Sequence, residues 1–261
     1  MTAQVGGKWL IRHAQRAAPQ ARLFCFSCAG MGASLYRAWP AHLPLELDVC
    51  AIQTPGRENR LREAPLSNIS QIVETLLPAL LPELDLPFAF FGHSMGALIA
   101  YEAARALHDS GGPVPRHLFV SARRPPHVPG TETPISDLSN AEFLVEVQRR
   151  YGGIPKEILA EPEILALLLP AMRADFKALE THRPEARAAV PFGITAFGGA
   201  ADSLTPRQHL DVWRAETSEE FSVRVFAGDH FYLNPERAAL LRDVSETLSP
   251  LWAGAQGEVS P

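Results

Sequence analysis

Gly92-His93-Ser94-Met95-Gly96 is the segment of this chain whose residue types best suit covalent chemistry. A serine hydroxyl is a weak nucleophile at neutral pH and becomes useful when a neighbouring base takes its proton and a carboxylate orients that base. The G-x-S-x-G spacing joins the apolar run Pro87-Phe88-Ala89-Phe90-Phe91 to a helix-like stretch over residues 97–107. Ser94 therefore falls at a sharp strand-to-helix turn that lifts its hydroxyl above a sheet, with glycines where a Cβ would collide. An ordinary glycine-rich turn is the bland alternative, and the flanking strand and helix favour the nucleophile.

At such elbows the partners follow in the order serine, acid, histidine. Of the nine histidines, only His182, His209 and His230 lie well beyond Ser94 and past the start of the long segment that follows Ser121. His230 stands directly after the apolar strand pattern of residues 223–226, in a loop that would carry it to Ser94. His209 falls in a helical pattern over residues 206–213, more in keeping with a surface residue, and His182 ends a helical stretch with nothing local to aim it. For the acid, Gly198-Gly199-Ala200-Ala201-Asp202 follows the strand pattern of residues 193–197, at the same sheet edge as Ser94 and His230. Asp229 competes, but adjacent side chains in an extended loop diverge, so Asp202 is the better partner for His230. A tetrahedral oxyanion also needs two backbone donors, one after the nucleophile and one from the loop after an early strand. The first is Met95 N–H; the second is assigned to Ala29 N–H within Ser27-Cys28-Ala29-Gly30-Met31-Gly32.

These residues need a sheet to hold them. Apolar runs at 22–26, 47–52, 88–91, 117–121, 193–197 and 222–226 alternate with helical patterns such as 69–81 and 97–108. That alternation predicts an α/β fold whose mostly parallel central sheet is flanked by helices on both faces. The stretch between Ser121 and Val190 is too long for a simple crossover and opens on a proline-rich run, Arg123-Arg124-Pro125-Pro126-His127-Val128-Pro129-Gly130. It predicts an inserted helical lid over residues 123–186, leaving 1–122 and 187–261 as the core. Within it, Ser139-Asn140-Ala141-Glu142 spells a capping box and Tyr151-Gly152-Gly153 a stop. Pro170 should break or kink the next helix before residues 171–179 resume it. The tail from residue 253 should fray.

Composition narrows the classes. A net charge of −5 over 261 residues offers no bulk attraction to nucleic acid or to an acidic membrane surface. No signal-peptide pattern opens the chain and no run is long and apolar enough to span a bilayer, so a soluble, cytoplasmic protein is expected. The cysteines, Cys25, Cys28 and Cys50, are odd in number, and Cys25-Phe26-Ser27-Cys28 lacks the second ligand pair of a zinc site. Neither a metal nor a cofactor is expected.

With these pieces in place, the chain resembles the type II thioesterases that accompany non-ribosomal peptide and polyketide synthases, within the α/β-hydrolase superfamily. The resemblance runs over nearly the whole chain. It rests on Phe26-Ser27-Cys28-Ala29-Gly30, Gln53-Thr54-Pro55-Gly56-Arg57-Glu58, the Ser94 elbow, Tyr151-Gly152-Gly153-Ile154-Pro155, Leu169-Pro170-Ala171-Met172-Arg173-Ala174-Asp175-Phe176 and Gly228-Asp229-His230-Phe231. The family usually carries Pro-His before Ala-Gly-Gly in its first loop, where this chain has Ser27-Cys28 before Ala29-Gly30-Met31. The resemblance implies removal of acyl groups from the phosphopantetheine arm of acyl or peptidyl carrier proteins by a Ser94–His230–Asp202 triad. It also implies a pocket shaped by residues such as Leu165, Leu168, Met172 and Phe176, and basic residues Arg123, Arg124, Arg149, Arg150 and Lys156 facing an acidic carrier. A monomer is expected. The competing readings are a small-molecule carboxylesterase, a medium-chain fatty acyl thioesterase with the same triad, and a carrier-binding module without catalysis.

Overall fold

The computed structural model describes residues 8–130, 132–185 and 187–253; the tail beyond 253, expected to fray, lies outside them. Seven strands form one sheet: β1 (Leu10–Ile11), β2 (Ala21–Phe26), β3 (Leu47–Ile52), β4 (Phe88–His93), β5 (His117–Ser121), β6 (Gly193–Gly199) and β7 (Phe221–Phe226), in the order β1-β3-β2-β4-β5-β6-β7. All neighbours are parallel except β1, which runs antiparallel to β3 through Leu10↔Ile52. β1 is absent from the sequence expectation because two residues carry no periodicity.

Parallel strands need both faces covered, and their alternating side chains feed two cores. Phe24, Phe90 and Leu118 face helices α1 (Ile69–Leu80) and α2 (Met95–Asp109). Leu23, Phe91, Phe119 and Phe197 face the opposite way, toward Tyr232, Leu240 and Val244 near and on α7 (Arg237–Leu248). The Phe119 and Phe197 rings stack 5.7 Å apart on neighbouring strands, and burying each such side chain contributes about 2 kcal/mol. Because the strands are parallel, β2, β4, β5, β6 and β7 all end at the same edge. The loops carrying Ser27–Gly32, Ser94, Arg123, Asp202 and His230 converge there, where open α/β sheets bind their ligands.

Between β5 and β6 lie α3 (Asn140–Tyr151), α4 (Lys156–Leu159) and α5 (Pro162–Thr181). Ser139 and Glu142 form the reciprocal capping box at the start of α3, and Gly152, at φ 67°, ends it in the left-handed conformation. These helices share a small core of their own that includes Phe143, Val147, Met172 and Phe176. The break expected at Pro170 does not occur: α5 is one helix of 20 residues. Pro170 and Ala166 are both exposed, so the Ala166 carbonyl, deprived of its N–H partner, is left to water rather than buried. The two short segments α6 (Arg207–Asp211) and α8 (Pro250–Ala253) complete the helices.

Candidate active site

Ser94 sits at φ 54°, ψ −113°, a conformation a residue with a Cβ adopts only under constraint, at a cost of about 1–3 kcal/mol. Close packing supplies the constraint. A Cβ on Gly92 would stand 2.2 Å from Gly96 O, and one on Gly96 would stand 2.0 Å from Phe26 O, so both positions admit glycine alone. The Ser94 N–H donates to Ser121 O at 2.8 Å, tying the elbow to the end of β5. The hydroxyl itself bonds to nothing among the described residues and faces the cavities described below.

His230 and Asp202 meet across two loops. His230 Nδ1 lies 2.8 Å from Asp202 Oδ2, and both residues are buried. An ionised carboxylate only accepts, so the ring donates from Nδ1 and leaves Nε2 as its acceptor, the tautomer a general base requires. Asp202 Oδ1 accepts from Leu204 N–H at 3.0 Å and Thr205 N–H at 3.3 Å, which fixes the carboxylate plane. The loops approach closely because Gly199 has no side chain; a Cβ there would stand 2.2 Å from Asp229 O. The Tyr151 and Phe231 rings lie edge-on at 5.2 and 5.4 Å from the imidazole. Asp229 is exposed and turns its carboxylate to Phe231 N–H at 2.9 Å, away from the His230 ring nitrogens.

The other histidines stand elsewhere. His182 approaches Glu102 at 3.2 Å and lines the rim of the larger cavity, and His209 is half-buried on α6. His93, next to the nucleophile, is fully buried with Nδ1 2.8 Å from Ser121 Oγ, which in turn lies 2.6 Å from Tyr232 Oη. Burial holds its pKa well below the usual histidine value, with proximity to His230 adding to the effect, so it stays neutral.

The loop after β2 is braced from below. Gly30 N–H donates to Asp175 Oδ2 at 2.8 Å, and Asp175, on α5, pairs with Arg57 through two contacts of 2.8 Å. Arg57 also donates to Met31 O. Burial works against the Arg57 charge, but Asp175 outweighs it and holds the guanidinium above its ordinary pKa. The Ala29 and Met95 N–H groups have no partner among the described residues, so both are available to an oxyanion. Cys28 beside them is buried, which pushes its thiol up to about 12 and makes it inert. Sequence reasoning assigned no role to Arg57 or Asp175. An acid among Met172, Ala174 and Phe176 on a buried helix face signals a cation partner, but the partner stands 118 residues away.

Two cavities share Ser94, Tyr151, Phe176, Leu179 and His230. The smaller, about 180 Å³, is apolar, walled by Met31, Val147, Ile154, Ile158, Leu168 and Met172. Leu168, Met172 and Phe176 reach it; Leu165 does not. The larger, about 510 Å³, is polar, with Arg123, Arg124, Glu132, Arg150 and Glu180 on its walls. A third depression of about 780 Å³ lies at the opposite end of β4–β6, beside Pro87, His117 and Gly193, away from Ser94. Among the described residues no group of three His, Cys, Asp or Glu side chains could hold a metal ion, and no helix is long and apolar enough to cross a membrane.

A mostly parallel sheet with a serine elbow directly after β4, followed in chain order by Asp202 and His230, defines an α/β-hydrolase. The thioesterase domain family matches residues 21–248, and the chain belongs to it; it is a thioester hydrolase. It is 40% identical to the linear gramicidin dehydrogenase LgrE of Brevibacillus parabrevis, over 96% of each chain. The redox activity in that name is said of that protein. Among solved structures, the thioesterase RedJ from the prodiginine pathway of Streptomyces coelicolor is 38% identical with a TM-score of 0.83, covering 89% of this chain and 92% of its own. The type II thioesterase BorB from the borrelidin biosynthetic cluster is 33% identical with a TM-score of 0.84, covering 92% and 97%.

Proposed function

We propose that this protein removes acyl groups from the phosphopantetheine arm of carrier proteins, in an editing role beside a non-ribosomal peptide or polyketide synthase. Ser94 Oγ attacks the thioester carbonyl while His230 Nε2 takes its proton, and the oxyanion rests on the Met95 and Ala29 N–H groups. The C–S bond then breaks, His230 returns the proton to the departing sulfur, and Ser94 is left acylated. Water, deprotonated by the same nitrogen, releases the acid. Asp202 holds the tautomer and stabilises the imidazolium throughout. The thiolate is a better leaving group than an alkoxide, so this modest machinery suffices.

The observation that carries this reading is the meeting of an apolar and a polar cavity at Ser94 and His230. A thioester of a carrier arm is apolar on its acyl side and polar on its arm side. The apolar chamber of about 180 Å³ is close to the ~150 Å³ that accommodates a benzene ring, which favours short acyl groups over medium-chain ones. Residues 123–186 serve as the lid over both cavities, and the protein works as a cytoplasmic monomer whose partners are carrier proteins. Of the basic residues considered for carrier contact, Lys156 is exposed and makes no ion pair among the described residues, Arg149 is exposed but bonded to Glu146, and Arg124 and Arg150 are engaged by Glu132 and Glu146.

The test is release of acetyl and propionyl groups from an acylated carrier protein beside a matched oxygen ester. Preferential cleavage of the carrier-bound thioester is expected. Turnover of the oxygen ester alone would leave the hydrolase and remove the carrier role.

A further inference from the structure

Arg123 is the half-buried cation of the polar cavity with which no acid pairs among the described residues. Each neighbouring charge on that wall is spoken for. Arg124 makes two contacts of 2.8 Å with Glu132; Arg150 reaches Glu146 and Thr133 O; Glu180 accepts from Ile135 and Ser136 N–H; and Arg183 is exposed and holds backbone carbonyls. Arg123 has no carboxylate within 4 Å among the described residues, and its buried Nε has no hydrogen-bond partner. Burial first, and Arg124 second, pull its pKa down to about 10, still charged at neutral pH.

Its position is also built. Ala122, immediately before it, takes φ 50°, a strained conformation for a residue with a Cβ, and is pinned by donating to Phe197 O at 2.8 Å. The Arg123 carbonyl accepts from Trp213 Nε1 at 2.7 Å. Two residues earlier, Ser121 O receives the Ser94 N–H, so the arginine stems from the strand end that holds the nucleophile. Leaving a half-buried guanidinium unpaired, with its Nε out of reach of water, is costly, and a fold bears that cost where a ligand completes the pairing. The planar fork of donors matches phosphate and carboxylate oxygens.

We infer that Arg123 is the recognition point for an anionic oxygen group of the substrate, supplied by the phosphate of the carrier arm or by a carboxylate on the acyl group. The inference rests on the thioesterase reading and adds to it a determinant of which thioesters are held. A neutral acyl group on an arm without its phosphate gains nothing from Arg123; a charged one does.

Binding to Ser94→Ala, which needs no turnover, tests this independently of the hydrolysis assay. Calorimetry would compare acetyl-pantetheine with acetyl-phosphopantetheine, which adds the phosphate, and with malonyl-pantetheine, which adds the carboxylate. One of the charged ligands is expected to bind at least about tenfold tighter than acetyl-pantetheine, and that advantage should disappear in Ser94→Ala/Arg123→Gln and persist in part in Ser94→Ala/Arg123→Lys. Which ligand gains identifies the source of the anion. Equal affinity for all three ligands, or an advantage that survives Arg123→Gln, would overturn the inference. If Arg123→Gln does not fold, Arg123→Met, which keeps the packing of the stem, carries the same comparison. A melting temperature lowered by both variants would mark a structural arginine and overturn it equally.

Discussion

The strand ends and the helical insert meet at Ser94, and they are held by different means. At the strand ends backbone packs on backbone: Gly96 lies against Phe26, Gly92 against Gly96, and Gly199 against Asp229, all closer than any side chain would permit. The insert reaches the sheet through side chains, with Asp175 on Arg57 and Gly30, and Tyr151 on His230. Backbone contacts fix positions within tenths of an ångström, which chemistry needs. Side-chain contacts fix an interface while leaving its lining open to change. Substitutions at the strand ends should therefore act on the rate, and those in the insert on stability and on what is bound.

The largest effect tests the first half of that contrast. Ser94→Ala should lower turnover by roughly 10⁴-fold or more with an unchanged melting temperature; residual turnover within tenfold of wild type would move the nucleophile elsewhere. Asp202→Asn follows, at about 10⁴-fold in kcat. The amide cannot accept from His230 Nδ1–H and also from the Leu204 and Thr205 N–H groups without turning its NH₂ toward a donor. Kinetics with little change in KM would bear this out, whereas a pure KM effect would make Asp202 a binding residue.

On the insert side, Asp175→Asn leaves Arg57 buried without its partner and should cost about 3–5 kcal/mol of stability, read by denaturant unfolding. A loss below about 1 kcal/mol would mean that the pair is not what joins α5 to the loop after β2. The smallest effect concerns acid. Burial lowers the His117 pKa to about 4, so below about pH 6.5 the unfolded chain takes a proton that the folded one refuses, and stability falls with pH down to about 4 by at most roughly 1.4 kcal/mol per unit. His93 contributes with the same sign. His117→Gln should flatten the slope by its own share between pH 6.5 and 4, and an unchanged slope would remove His117 from the account.

The contrast also marks what the sequence could disclose. The strands of the sheet are legible because buried parallel strands are near-continuously apolar, and the elbow because its glycines are demanded locally. The Ser139–Glu142 box and the Gly152 stop are likewise local. The Arg57–Asp175 brace is not, since its partners lie 118 residues apart and nothing local to Asp175 says which cation meets it. β1 is too short to carry a pattern. Pro170 does not break α5 because a proline's cost depends on whether the carbonyl it strands meets water, which no spacing reveals. Arg123 reads in sequence as a surface cation and is instead half-buried in a cavity wall.

The most direct measurement of the central claim is labelling by a serine-directed fluorophosphonate, followed by peptide mass spectrometry, on wild type, Ser94→Ala and His230→Ala. The account predicts a single adduct on the peptide containing Ser94, absent from Ser94→Ala and slowed by orders of magnitude in His230→Ala. An adduct at another serine, or labelling of Ser94 at the wild-type rate without His230, would contradict it.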